Sequence, residues 1–96
     1  MFIVIVQFPP LRPGKDQEFM EWFEWSNKGF AGHRGFIRRR LLKDTDTGSY
    51  AAIVEHESRD TFMAMNAGAF HAEAGKRVTS LFDGSPLPRF YEVVGE

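Results

Sequence analysis

Apolar residues run almost unbroken from Phe2 to Phe8, and Pro9, Pro10 and Pro13 follow. A continuous Ile/Val-rich run predicts a strand buried on both faces, and prolines cannot continue a central ladder. Pro13-Gly14-Lys15-Asp16 opens a helix with acidic early turns, reaching about Lys28 with Gly29 as its stop. At 100° per residue Phe19 and Phe23 form its core stripe, flanked by Met20 and Trp22. Trp25 falls off that stripe among polar neighbours, so it is either exposed or covered from outside the helix.

Gly35–Asp44 and Ser49–Glu57 read as two strands of a hairpin, joined by the turn-forming Asp44-Thr45-Asp46-Thr47-Gly48. Strict alternation puts Ile37, Arg39 and Leu41 on one face, and Phe36, Arg38, Arg40 and Leu42 on the other. On the partner strand Tyr50, Ala52, Val54 and His56 oppose Ala51, Ile53, Glu55 and Glu57. Apolar residues thus occur on both faces, where a two-layer domain standing alone needs only one.

Ser58 is the N-cap of a second helical stretch. It carries two displaced stripes, Phe62/Met65/Ala69/Ala72 and Phe70/Ala74/Val78/Leu81. One straight helix does not present both, so the spacing predicts a break near Asn66-Ala67-Gly68. Phe82–Leu87 reads as a loop and Pro88–Val94 as a last strand. The order β-α-β-β-α-β predicts a ferredoxin-like α+β fold. Its four-stranded antiparallel sheet has helices on one face, with the second helix broken near Gly68. A second copy is the simplest cover for the other face.

Composition adds one unusual feature. Ninety-six residues make a single domain, 1–96, with an ordinary 43% hydrophobic and 26% charged residues, but 15% are aromatic, including ten Phe. The surplus belongs to the core, to a partner chain or to an apolar pocket. A net charge of −1 gives no footprint for nucleic acid, and the consecutive Arg38, Arg39 and Arg40 point to alternating faces. There is no Cys, which removes disulfides and thiolate chemistry and suits a reducing compartment. The first apolar run is too short to cross a bilayer, so no membrane association and a cytoplasmic location are expected. No pair of histidines has a convincing ligand spacing, so no metal is expected.

In sequence order, several pieces resemble the antibiotic biosynthesis monooxygenase family over nearly the whole chain. They are the apolar strand before Pro13-Gly14-Lys15 and the helix bearing Phe19 and Trp22. Gly35-Phe36 follows at a strand start, where the family usually has Pro-Gly-Phe and this chain has Arg34 for the Pro. Then come His56-Glu57-Ser58 before Phe62, Phe70-His71 after the break, and the final Tyr91-Glu92-Val93-Val94. The resemblance implies a homodimeric α/β barrel with an apolar pocket between helices and sheet in each subunit. It also implies oxygenation of an aromatic or quinol-type substrate by dioxygen with no cofactor. The alternative is a non-catalytic small-molecule-binding or stress-response module of the same fold. A haem-degrading branch carries an Asn, a Trp and a proximal His, where this chain has Gln7, Met65 and Ala74. Three departures make that activity the less favoured reading.

Oxygenation without a cofactor requires the substrate as an electron-rich anion, and so a nearby base. His71, beside the second stripe, is the candidate base, with a helix-surface histidine as the bland alternative. His56 and His33 are weaker candidates. Gln7, the polar residue ending an apolar strand, is the other catalytic candidate, and is either tied to backbone or turned to the pocket. Trp22, Phe23, Met65, Phe70 and Tyr50 are candidate walls for a small apolar or aromatic ligand, against a purely core role. Arg40 is the candidate for stabilising an anion, against a cross-strand ion pair.

Overall fold

A computed structural model describes residues 1–96. The elements are β1 (Phe2–Gln7), α1 (Asp16–Phe30), β2 (Phe36–Lys43), β3 (Tyr50–His56), α2 (Arg59–Asn66), α3 (Ala69–Val78) and β4 (Leu87–Glu92). A 3-10 turn, Thr79–Leu81, follows α3. The strands form one antiparallel sheet in the order β2-β3-β1-β4, and the helices cover one face of it. This is the ferredoxin-like α+β arrangement.

The helix break falls where the two stripes require it. Asn66 ends α2, and Gly68 turns extended before Ala69 starts α3. Phe62 and Met65 are buried from α2, and Ala74 and Val78 from α3, so each piece buries its own stripe. Ser58 caps α2: its hydroxyl accepts from the Thr61 N–H, and the Ser58 N–H donates back to Thr61 Oγ1.

Gly29 does not stop α1. The helix continues to Phe30, whose ring is buried. The reason is a close approach: a Cβ on Gly29 would lie 1.8 Å from Phe70 Cζ. The glycine makes room for an aromatic ring of α3. Gly35 is required on two counts: its φ is 82° just before β2, and a Cβ there would lie 2.4 Å from Thr61 Cβ.

β2 departs from strict alternation. Phe36 pairs with His56 and Arg38 with Glu55, so Ile37 is an extra residue in a β-bulge. Phe36 therefore joins Arg39 and Leu41 on the helix-covered face, and Ile37 is exposed. The expected grouping of Phe36 with Arg38 and Arg40 is corrected by this one inserted residue.

β1 is buried on one face only within the chain. Phe2 and Val4 are fully enclosed beneath the helices, whereas Ile3 and Ile5 are half-buried on the open face. There they adjoin Ile53 of β3 and Tyr91 of β4.

The helix-covered core has two parts. Phe8, Phe19, Phe23, Tyr50 and Phe82 gather at one end, and Phe2, Val4, Phe30, Phe62 and Met65 at the other. Trp22 touches both.

Candidate active-site cavity

Between the two halves of the core lies a cavity of about 390 Å³, toward the small end of the range for small-molecule sites. Its floor is the inner face of the sheet, from Arg39 on β2 across Val54, Ala52 and Val6 to Pro88 and Phe90 on β4. Its roof is Trp22 and Phe30 of α1, Met65 of α2, and His71 and Ala74 of α3. The space has a simple origin. Ala52 and Ala74 are buried and small where their neighbours are large, and α2 and α3 diverge at Gly68.

Trp22 is anchored as a wall. Its indole Nε1 donates to the Ala74 carbonyl at 2.9 Å, and its ring stacks on Phe19 at 5.6 Å between centroids. The bond ties α1 to α3 across the roof.

Arg39 is the one positively charged residue lining the cavity. Its Nη1 donates to Ser26 Oγ at 2.7 Å and to Asn27 Oδ1 at 2.9 Å, and Asn27 Nδ2 donates to the Arg39 carbonyl at 3.0 Å. The guanidinium lies over the Phe23 ring at 4.1 Å, with Phe30 at 5.1 Å and Trp22 at 5.4 Å. Burial pulls its pKa down to about 10, so it stays charged at neutral pH. None of the ion pairs involves it, whereas its neighbours Arg38 and Arg40 both pair with Glu55 on the opposite face.

His71 stands at the cavity rim, exposed to solvent. Its ring centroid is 6.2 Å from that of Phe30, the same ring that Arg39 approaches from β2. Desolvation first, and the Arg39 charge second, lower its pKa below the ordinary histidine value. Its neutral form, a proton acceptor, therefore dominates at pH 7.

Of the residues singled out from sequence, His71, Trp22 and Met65 line this cavity. The others lie elsewhere. Gln7 sits at the exposed end of β1, and its Nε2 donates to the Tyr50 carbonyl at 3.1 Å, the backbone-tied arrangement. The Tyr50 hydroxyl donates to Asp16 Oδ2 at 2.8 Å, away from the cavity. Phe23 backs the Arg39 guanidinium from within the core. Phe70 packs behind the wall on Trp25 and Phe30, with centroids 5.1 and 5.0 Å away. Arg40 is on the open face, 3.4 Å from Glu55, and the arginine that lines the cavity is its neighbour Arg39. His56 is fully buried between Thr61 Oγ1 at 2.9 Å and Met65 Sδ at 3.4 Å, and supports the wall rather than lining it. Trp25 is covered by Phe70 and by the Arg77 guanidinium at 4.2 Å.

No protein-family model matches the sequence, and no curated protein does. Solved structures do. SnoaB, a cofactor-independent oxygenase from Streptomyces nogalater, superposes with a TM-score of 0.82 at 21% identity, over 99% of this chain and 95% of that one. The fold is that of the antibiotic biosynthesis monooxygenases. Another structure of that name gives a TM-score of 0.82 at 14% identity, over 99% of this chain and 100% of that one. Rv0793 from Mycobacterium tuberculosis gives 0.83 at 16% identity, over 99% and 96%.

The haem-degrading branch carries an Asn, a Trp and a His at positions that this chain fills with Gln7, Met65 and Ala74. Gln7 is turned to backbone outside the cavity, and Met65 and Ala74 offer no imidazole or indole. No group of three or more His, Cys, Asp or Glu side chains stands close enough to hold a metal ion. No helix is long and apolar enough to cross a membrane.

Proposed function

We propose that this chain is an oxygenase of the antibiotic biosynthesis monooxygenase type, oxidising a small aromatic or quinol-type molecule with dioxygen in the cavity. The observation that carries this reading is a neutral imidazole and a permanent cation set against one ring, Phe30, in an aromatic-walled space. His71 takes the acidic proton of the bound phenol or anthrone-like substrate. The Arg39 charge stabilises the resulting anion, in surroundings where a charge counts for more than in water. The anion passes an electron to dioxygen, and the two radicals combine at carbon as a peroxide. Loss of water from the peroxide leaves a new carbonyl. The substrate thus gives up two hydrogens and gains one oxygen atom, and the other oxygen leaves in water. Trp22 and Met65 act as walls for the flat ring, and Gln7 has no part in the chemistry.

The active form in this reading is a cytoplasmic homodimer. Ile3, Ile5, Leu42, Ile53 and Tyr91 form the apolar portion of the open sheet face, and a second copy would bury them.

Dioxygen uptake with a panel of anthrones and naphthoquinols tests the reaction. The expected result is uptake above the uncatalysed rate, falling by about 10²-fold or more in His71→Ala, the usual weight of a general base. Uptake at the uncatalysed rate with every substrate refutes it. Thermal stabilisation by the same compounds without uptake would instead identify a binding module.

A further inference from the structure

Three features of the cavity converge on the charge and orientation of its ligand. Arg39 uses only Nη1 in its bonds to Ser26 and Asn27, leaving Nε and Nη2 without a protein acceptor. No polar side-chain atom of a buried or half-buried residue is both sealed from solvent and unpaired, so these nitrogens keep contact with solvent. No carboxylate stands within ion-pairing distance of Arg39, although Glu55 serves both of its neighbours in sequence. A largely buried cation without a counter-ion is costly unless something supplies one.

The second feature is direction. Arg39 lies on edge strand β2, and the far wall, Pro88 and Phe90, lies on the opposite edge strand β4. Three strand spacings separate those edges, about 14 Å. The third is polarity along that length. Arg39 is packed under α1 against three aromatic rings, whereas Pro88 and Phe90 are apolar and exposed.

We infer that the cavity selects an aromatic acid. Its carboxylate pairs with the free edge of Arg39 at the β2 end, and its fused rings lie across Val54, Ala52 and Val6 with the apolar end toward β4. The inference rests on the cavity being the ligand site, and it adds a permanent negative charge and a fixed orientation to the substrate class. Arg39 is then the specificity-determining residue. Its planar fork presents two N–H groups to a carboxylate, which a lysine does not reproduce.

The probes are 1-hydroxy-2-naphthoic acid and its methyl ester, titrated by calorimetry and by quenching of tryptophan fluorescence. The expected result is acid binding about 10–100-fold tighter than ester, the usual weight of a hydrogen bond to a charged group. Arg39→Met should bind acid and ester alike, and Arg39→Lys should keep part of the preference. A phenyl group at position 6, opposite the carboxylate, should leave affinity within a few-fold, and one at position 3 should abolish it. Equal binding of acid and ester by the unaltered protein overturns the inference, needing no variant to fold. So does a preference that survives Arg39→Met in a variant that melts cooperatively, or equal tolerance of both phenyl groups. Dioxygen uptake is recorded separately. Acid-selective binding without uptake sinks the oxygenase reading alone, and uptake without acid selectivity sinks this inference alone.

Discussion

Gly29→Ala should destabilise the protein, although alanine is the better helix former. The gain from replacing a helical glycine is about 0.5–1 kcal/mol. Against it stands a Cβ placed 1.8 Å from Phe70 Cζ and 2.3 Å from both Cε atoms. Ordinary carbon contact needs about 3.5 Å, so the ring must retreat by about 1.7 Å. Phe70 has little room to do so, because Trp25 and Phe30 hold it at centroid distances of 5.1 and 5.0 Å. Overpacking of this kind costs about 1–3 kcal/mol, leaving a net loss of about 1–2 kcal/mol. For a domain of this length that lowers Tm by about 5–10 °C. Thermal unfolding followed by circular dichroism reads the effect. The decisive arm is the same substitution in a Phe70→Ala background, where the obstacle is gone and Gly29→Ala should become stabilising by about 0.5–1 kcal/mol. A Gly29→Ala protein at least as stable as the parent, or no change of sign in the double variant, refutes the close-approach argument. Because Phe70 backs Phe30, the single variant should also weaken ligand binding.

Three further outcomes are expected. The pKa values of His56 and His71 are lowered, chiefly by desolvation, so below about pH 6.5 the unfolded chain takes up protons before the folded one. Stability is therefore full above that pH and falls as acid is added. The urea midpoint should be lower near pH 5 than near pH 7.5, with a smaller drop in His56→Leu, and a pH-independent midpoint contradicts it. Trp22→Phe removes the bond to the Ala74 carbonyl and should cost about 1 kcal/mol in a urea titration; an unchanged midpoint means the bond contributes nothing. Ile53→Lys on the open sheet face should convert a dimer into a species of 11.0 kDa by sedimentation, and a parent already at that mass denies the dimer.

What could be read from the chain were properties of local spacing. The element order, the Ser58 cap and the break at Asn66–Gly68 follow from periodicity and capping chemistry that act over a few residues. His71, Trp22 and Met65 were also accessible, since each lies beside a recognisable stripe. Gly29 misled because a glycine that ends a helix and one that admits a ring are alike in one dimension, and the difference is Phe70, 41 positions away. The placement of Gln7 and Tyr50 outside the cavity could not be read from the chain, because their partners, a backbone carbonyl and Asp16, come from other elements.

The sequence alone determined the fold and the supply of aromatic, cationic and imidazole groups, because burial periodicity and turn chemistry are local. Only the tertiary structure decided which of three consecutive arginines faces the cavity. That choice depends on pairing with β3, where the bulge at Ile37 sets the face of Phe36 while Glu55 takes Arg38 and Arg40 on the open side. Arg39 is left beneath α1 with no counter-ion, since charge compensation is settled by neighbours in space rather than in sequence.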